Sequence, residues 1–160
     1  MNRTPRRGSR RVQAGLADVK AKPLGEVRVK VRLISAVDEA RARAGDLPQK
    51  RVRQRVIGAL VDPGAVRSII PPQVMIALGL TSRGRRVVEY ADGRKEPVDV
   101  TGPMIVDIDG RDTVEEALVL GDEVLIGQTV LEKLDMLVDC ASHRLVPNPA
   151  HPEQPVTKVK

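Results

Sequence analysis

Apolar and charged side chains alternate most cleanly from Glu26 to Leu33, where Val27, Val29, Val31 and Leu33 fall on one face of an extended chain and Arg28, Lys30 and Arg32 on the other. That period of two predicts a half-buried β-strand. Arg55 to Val61 predicts a second strand, and its unbroken apolar run from Val56 is the pattern of a strand buried on both faces. The charged connection between them, residues 38–55, has room for a short helical turn. Asp62-Pro63-Gly64 ends the second strand, since proline lacks an amide donor and glycine admits positive φ. Ile69-Ile70 resumes extended structure, and Pro71-Pro72 opens a short helix through Gln73 to Leu78, with Gly79 at its C-terminus.

Two turn signals follow. Asp92-Gly93 joins Val87–Tyr90 to Val98–Val100, and Asp109-Gly110 joins Met104–Ile108 to Thr113–Leu120, so two successive hairpins are expected. Val124 to Gly127 predicts a buried strand and turn, Gln128 to Leu134 a short helix, and Met136–Asp139 with Arg144–Val146 a final strand pair. The expectation is a mainly β fold of seven to nine strands with one or two short helices.

Composition narrows how such a fold can be filled. The chain has no Trp, no Phe and one Tyr, Tyr90, so Val, Leu, Ile and Ala must supply the core, and β-branched residues favour strands. A length of 160 residues suits one domain. Its expected bounds are 26–149, between a basic arm at 1–25 and a polar, proline-containing tail at 150–160. The formal charge of +6 is unevenly placed. Residues 1–32 hold ten Lys or Arg against Asp18 and Glu26, whereas the remaining 128 hold 17 basic and 19 acidic side chains. Nucleic-acid binding is therefore expected only through the arm, if at all, and the lack of interleaved aromatic residues there weighs against it.

One cysteine, Cys140, forms no internal disulfide and is expected to pack as a small apolar group near the last strand. The first residues lack the apolar stretch of a secretory signal, and no run approaches the roughly 18 apolar residues of a membrane span. A cytoplasmic protein without membrane contact is the expectation.

The chemistry centres on Ala59-Leu60-Val61-Asp62-Pro63-Gly64-Ala65, an apolar strand that ends in a carboxylate. Burying that group is costly unless it is hydrogen-bonded or shares a proton. Taken with Pro71, Ala77-Leu78-Gly79-Leu80, the Asp92-Gly93 hairpin, Leu125-Ile126-Gly127 and Val138-Asp139, this order resembles the bacterial retropepsin-like aspartic proteases over about residues 26–149. The resemblance implies a closed β-barrel of the acid protease fold with Asp62 catalytic and Pro63, Gly64 and Ala65 in its loop. It implies that Leu125, Ile126 and Gly127 cross beneath to support that loop. It also implies a flap of Tyr90, Ala91, Asp92 and Gly93 over an extended peptide substrate.

The acid motif occurs once. A pair of aspartates sharing one proton would then need two chains about a twofold axis, so the expected partner is a second copy and monomers should be inactive. The family has Thr or Ser where this chain has Pro63, whose ring offers neither hydroxyl nor amide donor. Two consequences compete: a weakened or conditional peptidase, or a peptide-binding or dimerisation module that has kept the fold and lost activity.

Other signals point elsewhere less well. Asp107, Asp109, Asp112 and Glu115 suggest a calcium loop, but Gly110 falls at the fourth position where the sixth is required. His143, His151 and Cys140 lack partners for zinc, and Ser68 has no triad context. No metal and no cofactor are expected.

Overall fold

The computed structural model describes residues 25–160 of the chain, and the basic arm, apart from Gly25, lies outside them. The alternating segment forms β1 (Val27–Ser35), with Val27, Val31 and Leu33 buried and Arg28, Lys30 and Arg32 exposed. Ser35 then caps helix α1 (Ala36–Arg43), its Oγ accepting the Asp38 N–H at 3.2 Å. A 3-10 turn, Gln49–Arg51, leads into β2 (Gln54–Val61), which pairs antiparallel with β1 from Val27↔Val61 to Ile34↔Gln54.

The later elements are β3 (Ile69–Ile70), α2 (Pro72–Ala77), β4 (Ser82–Glu89) and β5 (Lys95–Thr101). They are followed by β6 (Met104–Ile108), β7 (Arg111–Glu115), β8 (Leu118–Val119) and β9 (Val124–Ile126), and then by α3 (Gln128–Leu134), β10 (Met136–Asp139) and β11 (Arg144–Pro147). The fold is mainly β, as its sequence predicts, but three details differ. Thr113–Leu120 is not one hairpin arm: the chain leaves β6 after Glu115 and crosses to pair with β3 and β5 as β8. The short helical turn expected in the charged connection is a two-turn helix, α1, capped by Ser35, with Asp38 and Glu39 in its first turn and Arg41 and Arg43 in its last. Both changes raise the totals, to eleven strands and three α-helices.

The third difference is in β2. It is buried only at its end, at Ala59 and Val61, while Val56 is 62% exposed. Strand β9 flanks only Ala59 to Val61, so the first half of β2 has β1 as its single neighbour along that stretch.

Nine strands form one sheet in the order β4-β5-β8-β3-β9-β2-β1-β6-β7, and β10-β11 form a separate pair. The sheet curls into a half-barrel, which corrects the closed barrel expected from the resemblance. The two end strands, β4 and β7, do not pair with each other. Strand β4 is an arm of an exposed hairpin, and β7 is covered by α3, where Thr129 Oγ1 donates to Glu115 at 2.9 Å and Lys133 Nζ to the Val114 carbonyl at 2.9 Å.

Inside the curl lies an aliphatic core in which Leu33, Ile70, Leu78, Met104, Ile108, Ile126 and Leu134 are fully buried. Methionine supplies the bulk that aromatic residues would otherwise give. Burying each such side chain stabilises the fold by roughly 1.5–3 kcal/mol.

Two ionic joints brace the periphery. Asp38 is buried and accepts the Arg53 Nε at 2.7 Å, its Nη2 at 2.9 Å and its backbone N–H at 3.1 Å. The bidentate guanidinium holds the Asp38 carboxyl at about 2, below the usual carboxylate range. Arg111, buried in β7, donates to the carbonyls of Leu134 at 3.0 Å, Asp135 at 2.9 Å and His151 at 2.7 Å. The end of α3 is thereby tied to the C-terminal tail, and Asp135 Oδ2 adds a contact to His151 Nδ1 at 2.6 Å and accepts the Val156 N–H at 3.1 Å. Cys140 is exposed beyond β10, not packed in the core, since the β10–β11 turn carries it outward.

Candidate active site

The loop after β2 is held from beneath. Strand β9 lies between β2 and β3, the two strands that this loop joins, running parallel to β2 and antiparallel to β3. Leu125 sits opposite both Leu60 and Ile69, and Ile126 opposite Val61. Just past these pairs Asp62 donates its backbone N–H to the Ile126 carbonyl at 3.0 Å.

The loop's own turn closes around the acid. Asp62 Oδ1 accepts the Gly64 N–H at 2.9 Å, and the Asp62 carbonyl accepts the Ala65 N–H at 3.2 Å. A Cβ at Gly64 would stand 3.1 Å from Oδ1, so glycine lets the amide come this near. Asp62 is half-buried, while Pro63 and Gly64 are exposed. Proline suits the exposed position because neither an amide nor a side-chain donor is required of it within this chain.

Gly127 supports the loop by having no side chain. A Cβ there would lie 2.6 Å from the carbonyl carbon of Arg67 and 2.9 Å from the Ala65 oxygen, closer than atoms can approach. With nothing intervening, the start of α3 bonds directly to the loop: Gln128 N–H donates to the Ala65 carbonyl at 2.7 Å and Thr129 N–H to Val66 at 3.2 Å. Ser68, fully buried, accepts the Gly127 N–H on its Oγ at 3.0 Å. Sequence reasoning passed over Ser68 because it looked for a nucleophile; a small hydroxyl between an apolar strand and a glycine turn is also the type that satisfies a buried amide.

The expected flap is a hairpin of β4 and β5 paired from Ser82↔Thr101 to Glu89↔Lys95, with a bulge at Arg83. Its turn is closed by Tyr90 N–H to the Arg94 carbonyl at 2.8 Å and by Arg94 N–H to Asp92 Oδ1 at 2.9 Å, with Gly93 at φ +82°. Tyr90 is half-buried, its ring beneath the Arg94 guanidinium at 4.3 Å and its hydroxyl bonded to Glu96, which raises the phenol's pKa.

Loop and hairpin share a cleft of about 360 Å³. Ala65, Val66 and Ile69 line one side, Val88 and Tyr90 the other, and Leu118 and Leu120 close it. Of the residues expected at the site, Ala65 and Tyr90 meet in this cleft. Asp62, Pro63, Gly64, Ala91, Asp92 and Gly93 are not on its lining, while Leu125, Ile126 and Gly127 lie under the loop. Val66, Ile69, Val88, Leu118 and Leu120 were not foreseen; Leu118 and Leu120 reach the cleft because β8 crosses to β3, a long-range pairing that local periodicity does not encode.

Neither family models nor curated proteins provide a match for this chain. The functional reading therefore rests on its own residues. Among the described residues no helix is long and apolar enough to cross a membrane, and no group of three or more metal-ligating side chains forms.

Proposed function

We propose that this chain is a retropepsin-like aspartic peptidase that works as a homodimer, with one Asp62 from each copy. The observation that carries the reading is the support of the Asp62 loop. A carboxylate ends a central strand, its loop is bonded from below by a glycine-led strand and helix, and an apolar cleft opens between that loop and a hairpin. A rigid acid beside a strand-lined cleft suits an extended peptide, which presents its backbone for sheet-like bonding.

The chemistry follows from proximity of like charges. Two carboxyls brought together about a twofold axis share one proton; the ionised one takes a proton from water as it attacks the scissile carbonyl, and the protonated one donates to that carbonyl's oxygen. As the tetrahedral intermediate collapses, the carboxyl that took the water's proton passes it to the leaving nitrogen, and the other carboxylate recovers a proton from the intermediate's hydroxyl, so that the pair again holds one proton. Gly64 N–H, bonded to Asp62 Oδ1, orients the carboxylate for this work. No cofactor enters the scheme.

Pro63 favours a second reading, a module that binds peptide without cleaving it, because no hydroxyl is available there to link two such loops across the axis. One experiment separates the two. Purified protein is incubated with a peptide library at mildly acidic pH beside Asp62→Asn and Pro63→Thr variants, and products are read by mass spectrometry. Cleavage that Asp62→Asn abolishes supports the peptidase. Cleavage that appears only with Pro63→Thr supports the binding module, and cleavage that survives Asp62→Asn excludes the proposed mechanism.

A further inference from the structure

The cleft continues into a depression of about 310 Å³ whose chemistry is opposite to its own. Arg67 lines both spaces, and the depression adds Arg83, Gly84, Arg86, Val100 and Glu116. Arg83 is paired with Glu116, and Arg85, also on its rim, lies 3.7 Å from Asp99. Arg67 and Arg86 have no carboxylate partner among the described residues; Arg67 makes one long bond, to the Glu116 carbonyl at 3.4 Å. Two guanidinium groups without a carboxylate partner thus flank a cleft whose remaining lining is apolar apart from Tyr90 and Glu89, the latter paired with Lys95 at 3.2 Å.

Their spacing matches an extended chain. Arg86 in the depression and Val88 in the cleft stand two positions apart in β4, on one face of the strand and opposite Val98 and Glu96 of β5. Alternate residues of a strand repeat at about 6.6–7 Å, and a bound strand has the same repeat. β4 is also an end strand of the sheet, with one edge unpaired by any described strand.

We infer that the site selects peptides carrying an acidic side chain two positions from an apolar one, the apolar group filling the cleft and the carboxylate bridging Arg67 and Arg86. The inference rests on the cleft's being a peptide site. Arginine is suited to the task because its planar fork takes a carboxylate in a bidentate grip. Nucleic acid fits less well: the depression is continuous with aliphatic walls, and Tyr90 is the single aromatic platform in the chain.

The test uses the full chain carrying Asp62→Asn, so that binding is read without turnover. Fluorescein-labelled peptides containing Leu-Ala-Glu, Leu-Ala-Gln or Leu-Ala-Lys in one otherwise neutral frame are titrated by anisotropy. The Glu peptide is expected to bind about tenfold more tightly than the Gln peptide, the range of a charge-assisted hydrogen-bonded contact. That preference should shrink at high salt and below about pH 4.3, where the glutamate loses its charge. Charge reversal in Arg67→Glu/Arg86→Glu should transfer it to the Lys peptide. The milder Arg86→Gln, at an exposed position, should lower it with an unchanged melting temperature.

Equal binding of Glu and Gln peptides, absence of binding by all three, or a preference untouched by Arg86→Gln overturns the inference. So does tighter binding of a labelled oligonucleotide than of the Glu peptide. Parallel incubation of the peptides with the unsubstituted chain keeps the two claims apart: a Glu preference without cleavage leaves the acidic selectivity standing and removes hydrolysis, whereas cleavage indifferent to Glu does the reverse.

Discussion

The loop at 62–68 and the hairpin at 82–101 face each other across one cleft, yet they are built in opposite ways. The loop is fixed by a buried serine hydroxyl, by backbone bonds to β9 and α3, and by a glycine that leaves no room for adjustment. The hairpin has two strands, an exposed β4, a bulge, and a turn held by its own backbone and one aspartate. One side is over-determined; on the other, β5 is also paired with β8, and only β4 and the turn lack a second strand beside them. Such a division suits a site that must keep an acid still while admitting a chain beside it.

That contrast can be broken most severely at Gly127. Gly127→Ala forces a methyl against the backbone of Arg67 and Ala65, and should cost about 3 kcal/mol or more, since neither neighbour is a flexible side-chain end. Chemical denaturation should record it as a fall in midpoint. Ser68→Ala comes next, because it strands the buried Gly127 N–H, at a cost of about 1–3 kcal/mol by the same measurement. The hairpin should give a smaller answer: Gly93→Ala meets no atom within 4 Å and carries only the penalty of its φ of +82°, about 1 kcal/mol. If Gly93→Ala proves as damaging as Gly127→Ala, the distinction between the two sides falls.

A fourth test varies pH. Asp38 has its folded pKa depressed to about 2, so its pairing with Arg53 contributes fully above the ordinary carboxylate value of 3.8 and is lost as pH falls from there through about 2. Thermal melts of the parent should drop across that window, and those of Asp38→Asn should drop less. An equal decline in both would remove the joint from the account.

Much of the frame was legible in the chain. The alternation at Val27 to Leu33, the apolar run into Asp62 and the two Asp-Gly turns are local signals, and each lies within a residue or a few of its element. What local pattern could not reach was the meeting of distant parts. Leu118 joins the cleft only because β8 pairs with β3 and β5, and Ser68 acquires its role only when Gly127, 59 residues on, arrives above it. Charge misled in a similar way. Counting signs over the last 128 residues gave a near-neutral balance, which concealed Arg83, Arg85 and Arg86 gathered with Arg67 on one depression.

The claim on which the rest depends is that activity needs an aspartate from each of two chains. It is tested most directly by mixing parent and Asp62→Asn chains at fixed total concentration, allowing exchange, and measuring the rate on a peptide that the parent cleaves. With equal parts, a shared dyad predicts about a quarter of the parent rate, since only dimers with two intact chains work. A value near one half would mean that each chain acts alone, and would contradict the account.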